Sequence, residues 1–297
     1  MTTELRDSMA SSTGKITFIE VRDAYLAVLN EIERRGVKWR GTRLNRYLDD
    51  LNVSATWSFP RDEGKRLPVF YDAINQAQLL TGAAKVWAQL DPRLLAPKLK
   101  LIAEGPYGVP GGDDRARNTM FELWSAAALA GPGCSVRITD GGADVELLVD
   151  VLAKPIAVEC KRPAGKDGID RAIRDGRRQL LRRRDHGAGY GMLLLGTDRA
   201  LRYTPGGRVE IDGQELNASL AELSGKWAQD IVEHAKRSGR QLHPAVTLVG
   251  AAIMGTFFST ADGLPYTVER IGFTDNGQAS ARELATVLDG RIGRLLG

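Results

Sequence analysis

Two runs of alternating side chains, separated by a short break, constrain the fold of this chain more than any other feature. They cover residues 144–151 and 156–161, and Pro155 closes the break between them. Successive side chains of a strand point to opposite faces, so the pattern predicts a β-hairpin with one apolar face. The opposite face carries Asp144, Glu146, Leu148 and Asp150 from the first run and Ala157, Glu159 and Lys161 from the second.

The polar side chains of this hairpin have two interpretations. A half-buried antiparallel hairpin shows polar residues on its outer face whatever its function. The second run, however, looks buried on both sides, and the acids of the first run face Glu159 and Lys161. Clustered carboxylates repel one another and favour a bound cation. A bound Mg²⁺ ion activates water for phosphodiester hydrolysis, and a nearby lysine stabilises the developing charge. The hairpin is therefore a candidate hydrolytic site.

The first third of the chain is predicted to be all-helical. Apolar residues recur at helical spacing over residues 16–35, 42–51 and 68–89, and Asp91-Pro92 breaks the pattern. Residues 104–112 are rich in glycine and proline. They are interpreted either as a linker or as a structured surface loop.

The rest of the chain mixes strands with helices. Helices are predicted at residues 114–130, 168–184, 216–237 and 279–296, and further strands at 135–139, 190–195, 245–254 and 266–273. Strands flanked by helices predict a mixed α/β domain. The expected organisation is a helical N-terminal region at residues 1–110, with a recognition, regulatory or oligomerisation role, followed by an α/β domain at residues 111–297.

Three acidic positions and one lysine occur in a characteristic order. Glu122 lies in the Phe-Glu-Leu run of a predicted helix, Asp144 begins the hairpin, and Glu159-Cys160-Lys161 ends it. This set resembles the PD-(D/E)XK nuclease superfamily over about residues 113–195. The resemblance implies a restriction-endonuclease-like αβββαβ core with a mixed sheet. The family motif has proline before its aspartate, where this chain has Ala143.

The resemblance also implies a role for each matching residue. Asp144, Glu159 and the main-chain carbonyl of Cys160 would bind Mg²⁺, or Mn²⁺ in its place. Lys161 would be catalytic, and Glu122 would join both the metal site and the catalytic set. Spacing alone leaves Glu146 open as the acid more directly opposite Glu159 or Lys161, because the turn is unknown.

A predicted helix rich in arginine follows the hairpin directly. Its apolar stripe is Ile169, Ile173, Gly176 and Leu180, and a neighbouring stripe is Arg171, Arg174, Arg178 and Arg182. One interpretation is a solvated face balanced by aspartates. The other is a surface that binds the phosphates of nucleic acid beside the site. Gln179 is included in this candidate surface, because the family often has a polar helix residue there.

Composition sets limits on function without choosing one. The net charge of +4 permits binding to nucleic acid but does not require it. The two cysteines do not make a disulfide framework. No signal peptide and no apolar run of membrane-spanning length is apparent, so a cytoplasmic location and no membrane partner are expected. Phosphate-binding, dinucleotide-binding and serine-hydrolase motifs are also missing from the sequence.

The expected function is a Mg²⁺-dependent nuclease acting on nucleic acid, DNA rather than RNA. The alternative is a catalytically silent module on the same fold that binds nucleic acid or protein. A nonenzymatic α/β interaction protein, with its hairpin acids merely exposed, is a third interpretation. Many members of the family act as dimers, which leaves a homodimer open.

Overall fold

The computed structural model of this chain describes two compact units. The described residues are 14–15, 18–55, 67–108, 115–140, 144–163, 166–185, 189–196, 233, 246–258, 265–275, 284, 287 and 288. Residues from Lys15 to Ala127 form one unit, and Gly14 with the residues from Ala128 onward forms the other. The predicted helices at 216–237 and 279–296 lie almost wholly outside the described residues. Among the described helices, none is both long and apolar enough to cross a membrane.

The first unit is built from helices. They are α1 (Phe18–Arg34), α2 (Arg43–Ala55), α3 (Leu67–Ala84), α4 (Pro92–Glu104) and α5 (Arg115–Leu129), whose residues up to Ala127 belong to this unit. Helical spacing explains how they pack. Tyr25, Leu29 and Ile32 of α1 follow one another at intervals of four and three residues, and all three are fully buried. The helices predicted within residues 16–35, 42–51 and 68–89 are confirmed, whereas Gly14–Lys15, earlier in the predicted helical region, forms a short strand.

Helix α4 was not among the predicted elements. The predicted helix at 68–89 already ends at Ala84, and Asp91-Pro92 begins a new helix. The Asp91 side chain accepts a hydrogen bond from the Arg93 backbone N–H at 2.9 Å, and Pro92 occupies the first turn, where its missing N–H costs nothing. Pro97 lies inside the helix, yet Leu95 and Leu99 on either side of it are fully buried. Burial of this apolar face outweighs the hydrogen bond that Pro97 cannot make.

A buried ion pair joins three helices of this unit. Arg117 of α5 donates to both carboxylate oxygens of Asp72 of α3, at 2.8 and 2.6 Å, and to the hydroxyl of Tyr47 of α2, at 2.8 Å. The Tyr47 hydroxyl in turn donates to Asp72 at 3.1 Å. The side chains of Arg117 and Asp72 are only 4% and 1% exposed. Both charges are therefore buried, and each depends on the other for its neutralisation.

Residues 105–108 of the Gly/Pro-rich segment are held against the helical unit. Arg117 donates to the Gly108 carbonyl, and the Tyr107 hydroxyl donates to Asp50 at 2.5 Å. A Cβ on Gly105 would overlap the Cβ of Ala116, so glycine is required at this close approach. These contacts are those of a structured loop. Residues 109–114 lie outside the described part, and the predicted domain boundary at residue 110 stays a prediction.

The second unit is organised around a mixed seven-stranded sheet. Its strands are β1 (Gly14–Lys15), β2 (Cys134–Ile138), β3 (Val145–Val149), β4 (Ile156–Lys161), β5 (Tyr190–Gly196), β6 (Leu248–Phe258) and β7 (Pro265–Asp275). Their order is β1-β7-β6-β5-β4-β3-β2. Strands β2, β3 and β4 are antiparallel neighbours, β4, β5 and β6 are parallel, and β7 is antiparallel to β6. The predicted α/β class is confirmed.

Helix α6 (Lys166–Asp185) connects β4 to β5 and packs on the sheet. The buried cluster between them contains Ala157, Ala172, Ile173, Leu180, Leu193, Leu195, Val246 and Val249, with Ile169 packed against it. The predicted apolar stripe of the helix is thus its buried face. Gly176 permits the close approach, because a Cβ there would come within 2.5 Å of Leu193 Cδ1. Arg171, Arg174 and Arg178 lie on the exposed side of α6.

Candidate functional site

Strand register places Asp144 beside Glu159. Val145 of β3 is paired with Val158 of β4, and Glu146 is paired with Ala157. Continuing this antiparallel register by one residue beyond Val145 brings Asp144 level with Glu159. The hairpin therefore ends with two carboxylates next to each other, at the carboxyl end of β4.

The side chains of this pair and of Lys161 converge. Asp144 Oδ2 accepts a hydrogen bond from the Cys160 backbone N–H at 2.8 Å. The Lys161 ammonium donates to Glu159 Oε2 at 2.9 Å and lies 3.6 Å from Asp144 Oδ2. It also donates to the Cys160 carbonyl at 3.3 Å. We call Asp144, Glu159, Cys160 and Lys161 the carboxylate–lysine cluster.

This cluster is nearly buried and carries a net negative charge. The side chain of Glu159 has no exposed surface, and those of Asp144 and Lys161 are 16% and 21% exposed. Burial lowers the pKa of Lys161, but the charges of Asp144 and Glu159 outweigh it and raise that pKa above its usual value. Lys161 is therefore a cation that the two carboxylates hold in place.

The cluster lies on the sheet face that α6 covers. Glu159 and Lys161 are in parallel register with Leu193 and Leu195 of β5, which belong to the apolar cluster beneath α6. Strands β4 and β5 are parallel, so their carboxyl ends meet at one edge of the sheet. Ligands of open α/β sheets bind at such edges.

Glu146 is placed differently from Asp144. It opposes Ala157, accepts a hydrogen bond from Arg137 at 2.5 Å, and lies 4.0 Å from Arg183 of α6. Both partners are arginines that the sequence pattern did not link to it. Arg137 is its cross-strand neighbour on β2, so knowledge of the register would have identified that pair. Of the two acids that spacing left open, the structure brings Asp144 to Glu159 and Lys161.

Glu122 lies in the helical unit, on α5. Its carboxylate accepts a hydrogen bond from Lys98 of α4 at 2.7 Å, and the two side chains are 16% and 22% exposed. This contact holds α4 and α5 together. The role of Glu122 as a metal ligand and catalytic acid stays a prediction.

The donor set of the cluster is compatible with a hard metal ion. Asp144 and Glu159 offer carboxylate oxygens, and Cys160 adds a main-chain carbonyl close by. Mg²⁺ takes oxygen ligands and is usually bound by one or two carboxylates while keeping several of its waters. In the part of the chain that the structure describes, no group of three or more His, Cys, Asp and Glu side chains could hold a metal ion.

The arginines predicted to bind nucleic acid line one open cavity on α6. Its volume is about 480 Å³, and its walls are Arg171, Arg174, Asp175, Arg178, Gln179 and Arg182. All five residues predicted for the surface are therefore neighbours. We call this group the arginine cavity. Arg183, which adds to the charge of the same helix, faces Glu146 and the sheet instead.

Comparison with protein-family models, curated proteins and solved structures finds no match for this chain.

Proposed function

We propose that this protein is a metal-dependent nuclease of the PD-(D/E)XK type, which hydrolyses phosphodiester bonds in DNA. One observation carries the proposal, the convergence of Asp144, Glu159 and Lys161 at the end of the hairpin. Asp144 lies 15 positions before Glu159 in the sequence. An exposed hairpin with no chemical role has no reason to bury a carboxylate pair around one ammonium, because burying charges is costly.

The order of the elements supports the proposal as well. Helix α5 precedes three antiparallel strands, and α6 then connects β4 to the parallel strand β5. This is the order that the αβββαβ core of the family requires. The acid-x-lysine element lies on the interior strand β4, which has neighbours on both sides and is therefore a rigid support for catalytic groups.

Each residue of the cluster has a distinct proposed task. A bound Mg²⁺ ion would supply a water of lowered pKa and neutralise charge on the phosphate. Asp144 and Glu159, with the Cys160 carbonyl, would hold the ion. The Cys160 N–H fixes the orientation of the Asp144 carboxylate through its 2.8 Å hydrogen bond. Lys161, kept protonated by the acids, would orient the attacking water and donate to the phosphate oxygen as negative charge develops there.

Cleavage assays with matched variants test this proposal. Labelled linear duplex, single-stranded and branched DNA, and RNA, are incubated with Mg²⁺, Mn²⁺ or EDTA. Metal-dependent cleavage is expected from the wild type and is expected to fall by more than about 100-fold in Asp144→Asn, Glu159→Gln and Lys161→Ala. Asp150→Asn is the control, since Asp150 is an exposed acid in the same hairpin. Glu122→Gln tests the fourth predicted member in the same assay.

The silent binding module remains the second candidate, because the arginine cavity provides a cationic surface whether or not the cluster is active. This candidate predicts DNA binding that is the same in Mg²⁺ and EDTA, with no product on any substrate. Cleavage that survives in Glu159→Gln and Lys161→Ala would exclude the proposed site as its source. Loss of cleavage in Asp150→Asn to the same extent would show a folding defect instead.

A further inference from the structure

The arginine cavity of α6 contains one acid among its cations. Asp175 lies 3.8 Å from Arg171, 3.7 Å from Arg174 and 3.6 Å from Arg178. One carboxylate therefore pairs with three guanidinium groups over about two turns of the helix. The cavity as a whole has four arginines and one aspartate among its walls, so its formal charge is about three positive units. Such a surplus is a feature of surfaces that bind phosphates.

The ion pairs of Asp175 are loose and accessible. All three distances exceed the usual length of a charged hydrogen bond, which is about 2.7–2.9 Å. The side chains of Arg171, Arg174 and Arg178 are 80%, 56% and 62% exposed, and that of Asp175 is 39% exposed. Pairs of this kind contribute little to stability in water. A phosphate group that approaches from solvent can therefore replace the carboxylate as the partner of these arginines.

The length of the row fits an extended polyanion. From Arg171 to Arg182 the helix rises by about 16 Å, at roughly 1.5 Å per residue. One strand of duplex DNA presents a phosphate about every 3.4 Å along the helix axis, so the row spans roughly five phosphates. Gln179, between the arginines, adds an amide that donates to phosphate or sugar oxygens. A single small anion would use only part of this row.

We propose that the arginine cavity binds the phosphate backbone of a nucleic acid strand, and that Asp175 is a built-in competitor which limits the affinity. The inference rests on the proposed function and names the surface that would position the strand. When the strand binds, its backbone phosphates replace Asp175 as the partner of Arg171, Arg174 and Arg178. Because Asp175 competes for the arginines, the cavity binds the strand less tightly. Weaker binding favours release of the product after cleavage.

The alternative is that Asp175 only stabilises the helix. Pairs three or four residues apart do so by a small amount each. The two explanations predict different changes in DNA affinity for Asp175→Asn. Under the proposal, Asp175→Asn frees three arginines and tightens binding, whereas under the alternative it loosens α6 and leaves binding unchanged or weaker.

Fluorescence anisotropy in EDTA tests the proposal, because no metal-dependent cleavage then interferes. Labelled duplex and single-stranded DNA of one sequence are titrated with wild type, Asp175→Asn and Arg178→Gln. We expect Asp175→Asn to bind roughly threefold to fivefold more tightly, the size of one exposed ion pair, and Arg178→Gln to bind more weakly by a similar factor. Asp23→Asn and Arg93→Gln, exposed charges of the helical unit, are the controls and should match the wild type.

Salt dependence identifies the form of the strand. The slope of log affinity against log salt should become shallower by about 0.9 in Arg178→Gln if duplex is bound, and by about 0.7 if a single strand is bound. Unchanged or weaker binding by Asp175→Asn, with a melting curve like that of the wild type, would overturn the proposal. So would equal competition by polyglutamate at matched charge, which would indicate an acidic protein partner.

The same titration in a Lys161→Ala background separates the two proposals. DNA binding that persists while cleavage is lost supports the arginine cavity independently of catalysis. Cleavage that persists while Asp175→Asn and Arg178→Gln bind DNA like the wild type would reject the cavity and leave the nuclease site standing.

Discussion

Replacing Lys161 by methionine is expected to destabilise the metal-free protein and to increase its stabilisation by Mg²⁺. Methionine keeps much of the length of the side chain but removes the charge that lies 2.9 Å from Glu159 and 3.6 Å from Asp144. Two carboxylates would then face each other with one counter-charge fewer. A divalent ion can supply the missing positive charge. Without Lys161, that ion is no longer repelled by a neighbouring ammonium group.

The size of the effect follows from these distances. At an effective dielectric constant of about 20, each contact represents an attraction of roughly 4.5–6 kcal/mol before desolvation is subtracted. Removing one partner of a buried pair costs about 3–5 kcal/mol. We expect a cost at the lower end of this range, about 3 kcal/mol, because 21% of the Lys161 side chain is exposed to solvent. For a chain of this size that corresponds to a fall in Tm of roughly 6–12 °C.

Thermal unfolding in EDTA and in saturating Mg²⁺ measures both effects. At a Mg²⁺ concentration about 100 times its Kd, binding adds about 2.7 kcal/mol, which would offset most of the loss in Lys161→Met. Arg35→Met is the matched control, since Arg35 is 23% exposed and pairs with Glu31 at 2.9 Å, but in the helical unit. The double variant Asp144→Asn/Lys161→Met should lose the response to Mg²⁺. An equal Mg²⁺ shift in Lys161→Met and Arg35→Met would refute the assignment of the metal to this cluster.

Two further predictions concern the helical unit. Asp72→Asn should lower the free energy of unfolding by about 3–5 kcal/mol in urea titrations, because it leaves the charge of Arg117 buried without its counter-ion, whereas Asp23→Asn should change it by less than about 0.5 kcal/mol. Burial, and then the charge of Asp72, raise the pKa of Tyr47 above its ordinary value of 10.0. The folded state therefore keeps a proton that the unfolded chain releases, so stability is present below about pH 10 and is lost as the pH rises further. Tyr47→Phe should reduce this loss by up to about 1.4 kcal/mol per pH unit between pH 10 and 11, and an unchanged slope would contradict the argument.

Periodicity predicted the elements that shape the candidate site. Alternation predicts a strand at residues 156–161, and β4 covers Ile156–Lys161. The apolar stripe of the following helix, with Ile173 and Leu180, is the face buried on the sheet. These features are legible in a sequence because burial of one face imposes a repeat of two residues on a strand and of about 3.6 on a helix.

Features that depend on partners distant in the sequence could not be predicted from it. Helix α4 contains two prolines, and only its buried leucines explain why it forms. Likewise, nothing in the Gly/Pro-rich segment shows that Arg117 beyond it reaches back to Asp72, which holds α5 with the other helices. Propensity and composition are local, whereas these contacts stabilise the fold from far along the chain.

The sequence by itself determined that an acidic face and a lysine lie on one hairpin, since alternation sorts side chains to faces. Only the tertiary structure decided that Asp144, and not Glu146, meets Glu159 and Lys161, because cross-strand partners depend on register and register depends on the turn. The same division applies to α6. Its sequence determined that arginines form a stripe, but packing against the sheet decided that Arg183 faces Glu146 while Arg178 and its neighbours line an open cavity.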